Sequence, residues 1–174
     1  MHFSKLFTHC PVCGASSFGP NNEKSMICSN CEFVFYVNAS AAVATFIRNE
    51  KGDLLVCRRA KEPAKGTLDL AGGFVDENET AEEAVSREIA EELQARLTHA
   101  EYLFSLPNSY EYSGMSIPTL DLFFSCQLED TTKLIPSDDV EDCFFLPLNQ
   151  VKPSDFGLSS IRKGVEIFLQ STQS

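Results

Sequence analysis

Positive charge is scarce in this chain. Of its 174 residues, 14 are lysine or arginine and 25 are aspartate or glutamate, which gives a formal net charge of −11 at pH 7. A protein that binds nucleic acid needs a basic surface for the phosphate backbone, so we expect no nucleic-acid partner. An acidic protein can bind a phosphorylated small molecule only through metal cations and a few well-placed basic side chains.

Long apolar runs are absent as well. No stretch approaches the roughly 18 residues of a membrane-spanning helix, and residues 1–5 carry no apolar signal-peptide core ahead of the first cysteine motif. There is no low-complexity tail and no obvious repeat. A chain of this length holds one well-buried domain plus a small appendage. We therefore expect a cytoplasmic protein that does not bind membranes.

Four of the seven cysteines form two Cys-x-x-Cys pairs, Cys10, Cys13, Cys28 and Cys31. The spacing is close to that of a zinc site with four thiolate ligands, and Gly14 suits the tight turn after the first pair. Two disulfides are the alternative, but such pairs in a cytosolic chain favour zinc. We predict a structural Zn²⁺ site in a zinc ribbon over residues 1–36.

The predicted ribbon carries no net charge, because Lys5 and Lys24 balance Glu23 and Glu32. It therefore lacks the basic surface of a ribbon that binds nucleic acid. We expect it to act as a folding cap, or as part of a substrate pocket or of a homodimer interface. The other three cysteines lie in apolar runs and are interpreted as buried hydrophobic side chains: Cys57, Cys126 and Cys143.

The most specific pattern in the chain is at residues 73–95, GFVDENETAEEAVSREIAEELQA. Thr80 and Glu83 have the spacing of a capping box, so we predict that a helix begins near Ala81. One stripe of this helix is apolar and can pack onto a sheet: Val85, Ile89 and Leu93.

Three glutamates share the neighbouring face of this helix. Glu88, Glu91 and Glu92 are related by i, i+3 and i+4 spacing. Their carboxylates repel each other unless a cation lies between them, and clustered carboxylate oxygens suit Mg²⁺ or Mn²⁺. A solvated acidic face is the alternative. The residues that stand in register around the glutamates favour the metal site.

Four residues stand in register with the three glutamates and favour the metal site. Arg87 precedes Glu91 by four positions and can orient its carboxylate. Gly72 and Gly73 let the backbone approach closely, so a carbonyl there can face the metal. Glu79 either ties the loop to the helix or stabilises the helix N-terminus as an anion.

The segment resembles the Nudix box, G-x5-E-x7-R-E-U-x-E-E-x-G-U, where U is a bulky aliphatic residue. Seven positions match: Gly73, Glu79, Arg87, Glu88, Ile89, Glu91 and Glu92. Gln94 stands at the second glycine of the pattern, and Ala95 is a small version of its last aliphatic residue. The resemblance implies an α/β fold, an α/β/α sandwich with a mixed sheet, over residues 37–174.

Residue patterns outside the box predict the remaining elements. We expect a hairpin of two strands over 41–48 and 53–59, a short strand within 67–75, two strands over 101–112 and 117–128, a short strand over 143–148, and a helix over 158–169.

Nudix proteins mostly hydrolyse a nucleoside diphosphate linked to a second moiety. A zinc ribbon ahead of the domain is similar to the arrangement in NADH pyrophosphatases and in related hydrolases of ADP-ribose or FAD. NADH pyrophosphatases carry S-Q-P-W-P-F-P-x-S after the box, where this chain has SLPNSY at 105–110. The serine and the first proline match, but the glutamine and the tryptophan do not. The resemblance therefore implies ADP-ribose as the favoured substrate, with NADH or FAD as the alternative.

The resemblance also implies site residues. Glu88, Glu91, Glu92 and the Gly72 carbonyl would hold the Mg²⁺ or Mn²⁺, which lowers the pKa of a bound water. Catalytic roles are expected for Arg87, Glu91, Glu92 and Glu141. Of these, Glu141 best matches an acidic residue that the family uses in a later loop. The alternatives to Glu141 are Asp138, Asp139 and Glu111. The expected substrate contacts are Arg58, Arg59, Lys65, Ser105, Pro107, Asn108 and Tyr110, while Gly73 and Glu79 are structural.

Two other functions are open to a chain of this kind. An ADP-ribose-sensing regulator would bind the nucleotide without cleaving it, but such regulators add a winged-helix domain, and only about 25 residues follow the expected sheet. An RNA-decapping enzyme would need basic surface. The intact glutamate set favours catalysis.

Overall fold

A computed structural model describes residues 6–172 of the chain. Within this range there are nine strands: β1 Phe18–Asn22, β2 Ser25–Cys28, β3 Val34–Tyr36, β4 Ser40–Ile47, β5 Leu54–Arg59, β6 Leu68–Asp69, β7 Leu97–Tyr112, β8 Met115–Leu128 and β9 Val140–Leu146. The two α-helices of the same range are α1 Ala81–Leu93 and α2 Ser159–Ser171. Neither helix is long and apolar enough to cross a lipid bilayer.

The described chain divides into two compact units. One contains the chain up to Ser40 together with Ser109–Pro118, the tip of the β7–β8 hairpin. The other contains Ala41–Asn108 and the chain from Thr119 onward. The predicted boundary, between residues 36 and 37, lies close to Ser40. Sequence patterns do not link the hairpin tip to the first unit, because that grouping depends on contacts between distant parts of the chain.

The first unit contains two cysteine knuckles, which are the turns formed by residues 10–14 and 28–32. Both turns have the same backbone hydrogen bond. In each knuckle, the residue after the second cysteine donates its N–H to the carbonyl of the first cysteine: Gly14 to Cys10 and Glu32 to Cys28, both at 2.9 Å. Gly14 and Glu32 both have positive φ, 73° and 62°. The antiparallel sheet β1-β2-β3 leads into the second knuckle. A small core supports both knuckles and consists of Cys10, Phe18, Met26 and Cys28.

The second unit contains two three-stranded sheets, with strand orders β4-β8-β7 and β6-β5-β9. The predicted hairpin over 41–59 closes only at its tip, where Arg48 and Leu54 form one antiparallel bridge. Beyond that bridge β4 pairs with β8, whereas β5 pairs with β6 and β9. The two strands therefore separate into different sheets.

Side chains alternate across β4, β5 and β8, as the pleat of a strand requires. One face packs on α1 and contains Val43, Ile47, Leu55, Cys57, Phe124 and Cys126 with Val85, Ile89 and Leu93 of the helix. The opposite face packs on α2 and contains Ala44, Phe46, Leu54, Val56 and Phe123 with Ile161, Val165 and Phe168 of the helix. The helices thus cover opposite faces of the strands, and the predicted α/β fold is confirmed. Cys57 and Cys126 are buried as expected, and Cys143 is half-buried.

Helix α1 begins and ends at identifiable caps. Thr80 accepts a hydrogen bond from the Glu83 N–H, and the Glu83 side chain accepts one from the Thr80 N–H, so the predicted capping box is confirmed. At the other end Gln94 adopts the left-handed conformation, with φ 50° and ψ 37°. The second glycine of the box pattern falls at this position, where glycine avoids the clash of a Cβ atom. Gln94 bears that strain.

We therefore expect Gln94→Gly to stabilise the protein. The left-handed conformation costs a residue with a Cβ about 1 kcal/mol, which corresponds to a rise of about 2–4 °C in the melting temperature of a chain of this size. Calorimetry measures the change. Gln127→Gly, in the extended strand β8, is the matched control and should lower the melting temperature. A fall in the melting temperature of Gln94→Gly would contradict this account of the helix end.

Candidate functional site

Two glycines bring the backbone against the glutamate face of α1. Gly72 has φ 148°, and an added Cβ would lie 2.9 Å from the carbonyl carbon of Val43. At Gly73 an added Cβ would lie 2.7 Å from the carboxyl carbon of Glu88. Residues 71–75 run along β4, where the Val43 N–H donates to the Gly73 carbonyl at 2.8 Å. Any larger side chain at these two positions would push the loop away from β4 or displace Glu88.

Arg87 joins the loop to the helix. Its Nε and Nη2 donate to the two carboxylate oxygens of Glu79, at 2.8 and 2.9 Å. Its Nη1 reaches Glu88 at 2.8 Å and Glu91 at 3.0 Å, and its Nη2 also reaches the Phe74 carbonyl at 2.9 Å. Hydrogen bonds from Arg87 lower the pKa of Glu79. The geometry supports the interpretation that Glu79 ties the loop to the helix.

Glu92 is the most deeply buried of the three glutamates, with 6% of its surface exposed. The Gly72 N–H donates to its carboxylate at 2.9 Å. Burial raises the pKa of Glu92 to about 8, and the negative charges of Glu88, Asp69 and Asp139 add to the shift. Burial also raises the pKa of Glu88, against the opposing effect of Arg87. A cation at this position would favour the charged form of both carboxylates, which burial disfavours.

The donor set fits a hard divalent cation. Two buried carboxylates and one exposed carboxylate share a helix face, and such oxygens are the ligands of Mg²⁺ and Mn²⁺. In the described structure the Arg87 Nη1 donates to Glu88 and to Glu91, at 2.8 and 3.0 Å, and the Gly72 N–H donates to Glu92 at 2.9 Å. Among residues 6–172, the only group of three or more His, Cys, Asp or Glu side chains whose ligand atoms all lie within 4.8 Å of one another is formed by the four cysteines.

In the acidic segment around the start of β9, Asp139 acts electrostatically on Glu92, one of the glutamates. The Asp139 charge contributes to the raised pKa of Glu92, and no hydrogen bond or ion pair of the described residues joins Glu141 to α1. The β5–β9 register pairs Arg58 with Asp142 and Arg59 with Val140, so Glu141 is the extra residue of an irregularity in β9. Sequence position alone could not separate these neighbouring acids.

Arg58 and Arg59 lie on opposite faces of the sheet. Arg58 is on the α2 face, where it donates to the Gly66 carbonyl at 2.8 Å and lies 5.9 Å from the centre of the Phe144 ring. Arg59 is on the α1 face, donates to the Pro63 carbonyl at 2.7 Å and forms a buried ion pair with Asp69. The two arginines, both expected to contact the substrate, therefore lie on opposite sides of β5. Lys65 is exposed in the same loop.

The segment expected to line a nucleotide pocket lies within β7. Asn108 is engaged on the α2 face, where it donates to the buried Asp121 at 3.2 Å and accepts from Ser159 at 2.9 Å. Ser105 and Pro107 alternate with Leu106 and Asn108 and so point to the opposite side of the strand. Tyr110 belongs to the first unit. Within the second unit, Asn108 therefore lies on one side of β7, and Ser105 and Pro107 lie on the other.

Asp121 is the centre of a polar cluster that sequence reasoning missed. It is 6% exposed and accepts hydrogen bonds from Thr119 at 2.6 Å, from Asn108 and from the Ser160 hydroxyl. Ser160 is in the first turn of α2, whose N-cap residue makes no side-chain hydrogen bond. The carboxylate stabilises this helix N-terminus from a neighbouring strand. The only sign of this cluster in the sequence was an acidic residue at an inward-facing position of β8.

The cysteine cluster has the dimensions of a tetrahedral metal site. The Sγ atoms of Cys10 and Cys31 are 3.7 Å apart, and those of Cys13 and Cys28 are 3.6 Å apart. Metal–sulfur bonds of about 2.3 Å in a tetrahedron place sulfurs about 3.8 Å apart, whereas disulfide sulfurs lie about 2.0 Å apart. The geometry fits a thiolate-bound ion rather than two disulfides.

Comparisons with known proteins point to one family. The protein-family model described as NUDIX domain matches residues 38–163. The chain is 24% identical over 160 residues to "NAD-capped RNA hydrolase NudC" of Pseudomonas syringae pv. syringae, which is 92% of this chain and 55% of that protein. The chain therefore spans about half the length of the curated relatives it matches.

Solved structures show the same fold. A NUDIX hydrolase from Nitrosomonas europaea superposes with a TM-score of 0.73 and 22% identity, covering 95% of this chain and 92% of that one. The NUDIX domain of Shewanella oneidensis NrtR, complexed with ADP ribose, gives a TM-score of 0.61 and 20% identity over 78% of this chain and 89% of that one.

The buried Glu92 makes stability depend on pH. Its pKa is about 4.3 in an unfolded chain and about 8 in the fold. Between these values the folded protein holds a proton that the unfolded chain has lost, so the free energy of unfolding falls as pH rises from about 4.3 to about 8. With divalent metal chelated, we expect the melting temperature to fall across this window, and to fall much less in Glu92→Gln. Thermal unfolding in EDTA at a series of pH values measures this.

The control for that series is Glu82→Gln, which changes an exposed glutamate in the first turn of the same helix. It should retain the pH dependence of the wild type. Parallel pH profiles for the wild type and Glu92→Gln would show that Glu92 does not carry the buried charge.

Proposed function

Because the NUDIX domain match covers most of the chain, the chain belongs to the Nudix family, and we propose that it is a divalent-metal-dependent pyrophosphohydrolase of nucleoside diphosphate derivatives. The observation that carries the proposal is the set of three glutamates at one end of α1. Glu88 and Glu92 are desolvated there, and Arg87 and Gly72 fix their orientation. A helix with no role in cation binding has little physical reason to keep them together.

Each site residue then has a role in the reaction. Glu88, Glu91 and Glu92 would hold Mg²⁺ or Mn²⁺, which when bound would supply positive charge for the diphosphate and lower the pKa of the attacking water. Water adds to one phosphorus, the bridging P–O bond breaks, and the other half of the substrate leaves. The proton of the water passes to a carboxylate. Glu91 is our candidate acceptor because its side chain is 51% exposed.

Our first choice of substrate is ADP-ribose. The chain has the box residues and the cysteine cluster, but it lacks the glutamine and tryptophan of the NADH pyrophosphatase motif, and its Asn108 is held by Asp121 and Ser159. A diphosphate with adenosine on one side and a smaller group on the other fits these changes. The NUDIX domain of NrtR, which has the same fold, is a domain complexed with ADP ribose.

A dinucleotide such as NADH or FAD is the second candidate. It is favoured by the similarity to NAD-capped RNA hydrolase NudC, which extends over 92% of this chain. The non-enzymatic alternative is a regulator that binds ADP-ribose without cleaving it. The complete glutamate set argues against that role.

We further propose that the cysteine cluster holds one structural Zn²⁺. Four thiolates without another ligand form a closed site, and soft sulfur ligands select zinc over Mg²⁺. The ribbon and the Nudix domain, proposed as residues 1–36 and 37–174, would then use different metals for different purposes.

The substrate proposal predicts an order of reactivity. At one fixed Mg²⁺ concentration, kcat/KM should be highest for ADP-ribose, lower for NADH and FAD, and lowest for nucleoside triphosphates, because a triphosphate offers no second moiety for binding in the transition state. Glu88→Gln and Glu92→Gln should each lower turnover of the best substrate at least about 100-fold, since one charge-stabilising group contributes roughly 3 kcal/mol.

Glu82→Gln is again the control and should retain turnover within about twofold, because the side chain is outside the proposed ligand set. A triphosphate that exceeds every diphosphate-linked compound tenfold would overturn the substrate class. Near-normal rates in both Glu88→Gln and Glu92→Gln would overturn the metal site itself.

The zinc proposal predicts about one zinc per chain by elemental analysis, retained during dialysis against Mg²⁺. Combined Cys10→Ser and Cys13→Ser should abolish the zinc and destabilise the first unit, because the metal contributes folding free energy. Cys143→Ser, in β9, should retain the zinc. Absence of zinc from the wild type, together with oxidised Cys10 and Cys31, would contradict the assignment.

A further inference from the structure

The C-terminal turn of α1 is completed by a separate segment of the chain. A helix leaves its last four carbonyls without partners inside the helix. Residues 135–139, which we call the strap, supply three donors. These are the Ile135 N–H to the Leu93 carbonyl at 2.9 Å, the Ser137 N–H to the Glu92 carbonyl at 2.9 Å, and the Ser137 hydroxyl to the Glu91 carbonyl.

The other end of the strap is tied to the loop after β5. The Ala60 N–H donates to the Asp139 carbonyl at 2.8 Å. The Lys61 ammonium forms ion pairs with both aspartates of the strap: it contacts Asp139 and lies 3.2 Å from Asp138. The strap is therefore held at both ends, by α1 and by this loop.

Two of the carbonyls that the strap binds belong to Glu91 and Glu92. Fixing a carbonyl fixes the backbone from which the side chain of the same residue projects. A small rotation of this last turn would move both carboxylates relative to Glu88, which is one turn earlier. Metal ligands must be held within a fraction of an ångström to bind well.

We propose that the strap positions the metal-binding end of α1 and that Ser137 is its principal positioning residue. Ser137 touches neither the cation nor the substrate. It acts through the backbone of Glu91 and Glu92, on which it places two hydrogen bonds. The inference rests on the proposed function, because it assumes that these glutamates bind a cation.

Ser171 provides a matched control. Its hydroxyl donates to the Phe168 carbonyl at 2.8 Å near the end of α2, on the opposite face of the sheet. Ser137→Ala and Ser171→Ala thus each remove one hydroxyl-to-carbonyl bond from a helix end, but only the first variant affects the glutamates. Ser137→Thr keeps the hydroxyl.

The test measures binding of Mn²⁺ alone, by electron paramagnetic resonance, and hydrogen–deuterium exchange of residues 89–95. The loss of one neutral hydrogen bond should weaken Mn²⁺ binding about three- to tenfold in Ser137→Ala and speed exchange of the last turn by a similar factor. Ser137→Thr and Ser171→Ala should match the wild type in both measurements.

Wild-type Mn²⁺ affinity in Ser137→Ala would overturn the proposal. So would an equal loss in Ser171→Ala, because the effect would then be general destabilisation. Failure of the proposed function looks different, since the wild type and Glu92→Gln would then bind Mn²⁺ equally. If the wild type and Glu92→Gln bind Mn²⁺ equally, and Ser137→Ala changes only the exchange rates of residues 89–95, the positioning role is overturned as well.

Lys61→Met tests the other anchor of the strap. It should speed exchange of the strap amides several-fold, while Lys163→Met leaves them unchanged. Lys163 is the matched control because its side chain is 60% exposed, against 59% for Lys61, and it pairs with Glu166 at 3.0 Å on α2. Equal exchange in the two variants would overturn the anchoring role of Lys61.

Discussion

Burial of carboxylates on one face of α1 is the constraint on which the site depends. Glu88 and Glu92 are desolvated there, which raises the pKa of both side chains. The surrounding structure offsets the cost of burying these carboxylates in two ways. Arg87 supplies a counter-charge and hydrogen bonds, and the Gly72 backbone approaches closely enough to donate an N–H. Because the pKa of Glu92 stays raised in this arrangement, a divalent cation that favours its charged form is the natural completion of the site.

Because side chains alternate along β5, residues on one face of the strand lie on the side of the candidate site, and residues on the other face have supporting contacts. Residues on the α1 face, such as Arg59 with Asp69, lie on the side of the glutamates, whereas Arg58 on the α2 face binds the loop carbonyl of Gly66. The α2 face carries its own polar cluster around Asp121, which stabilises the start of α2 and contains no glutamate of the site. The layer formed by the two sheets thus separates two groups of acidic residues, and only the group on α1 has the donor set for a metal.

Local patterns predicted the features that depend on near neighbours in sequence. The start of α1 followed from the spacing of a capping box, and the contact of Arg87 with Glu91 followed from helical periodicity. Features that depend on distant chain segments were not predictable in this way. The strap at 135–139 and the polar cluster at Asp121 arise from tertiary packing. The separation of Arg58 and Arg59 follows from the period of a strand, but only once β5 is known to be buried on both faces.

The most direct test of the metal site is a crystal structure grown with Mn²⁺ and recorded at a wavelength where manganese scatters anomalously. The account predicts an anomalous peak within bonding distance, about 2.0–2.3 Å, of carboxylate oxygens from at least two of Glu88, Glu91 and Glu92. The same peak should be absent from crystals of Glu92→Gln that retain the fold. Manganese bound elsewhere, with Arg87 still holding Glu88 and Glu91, would contradict the central claim.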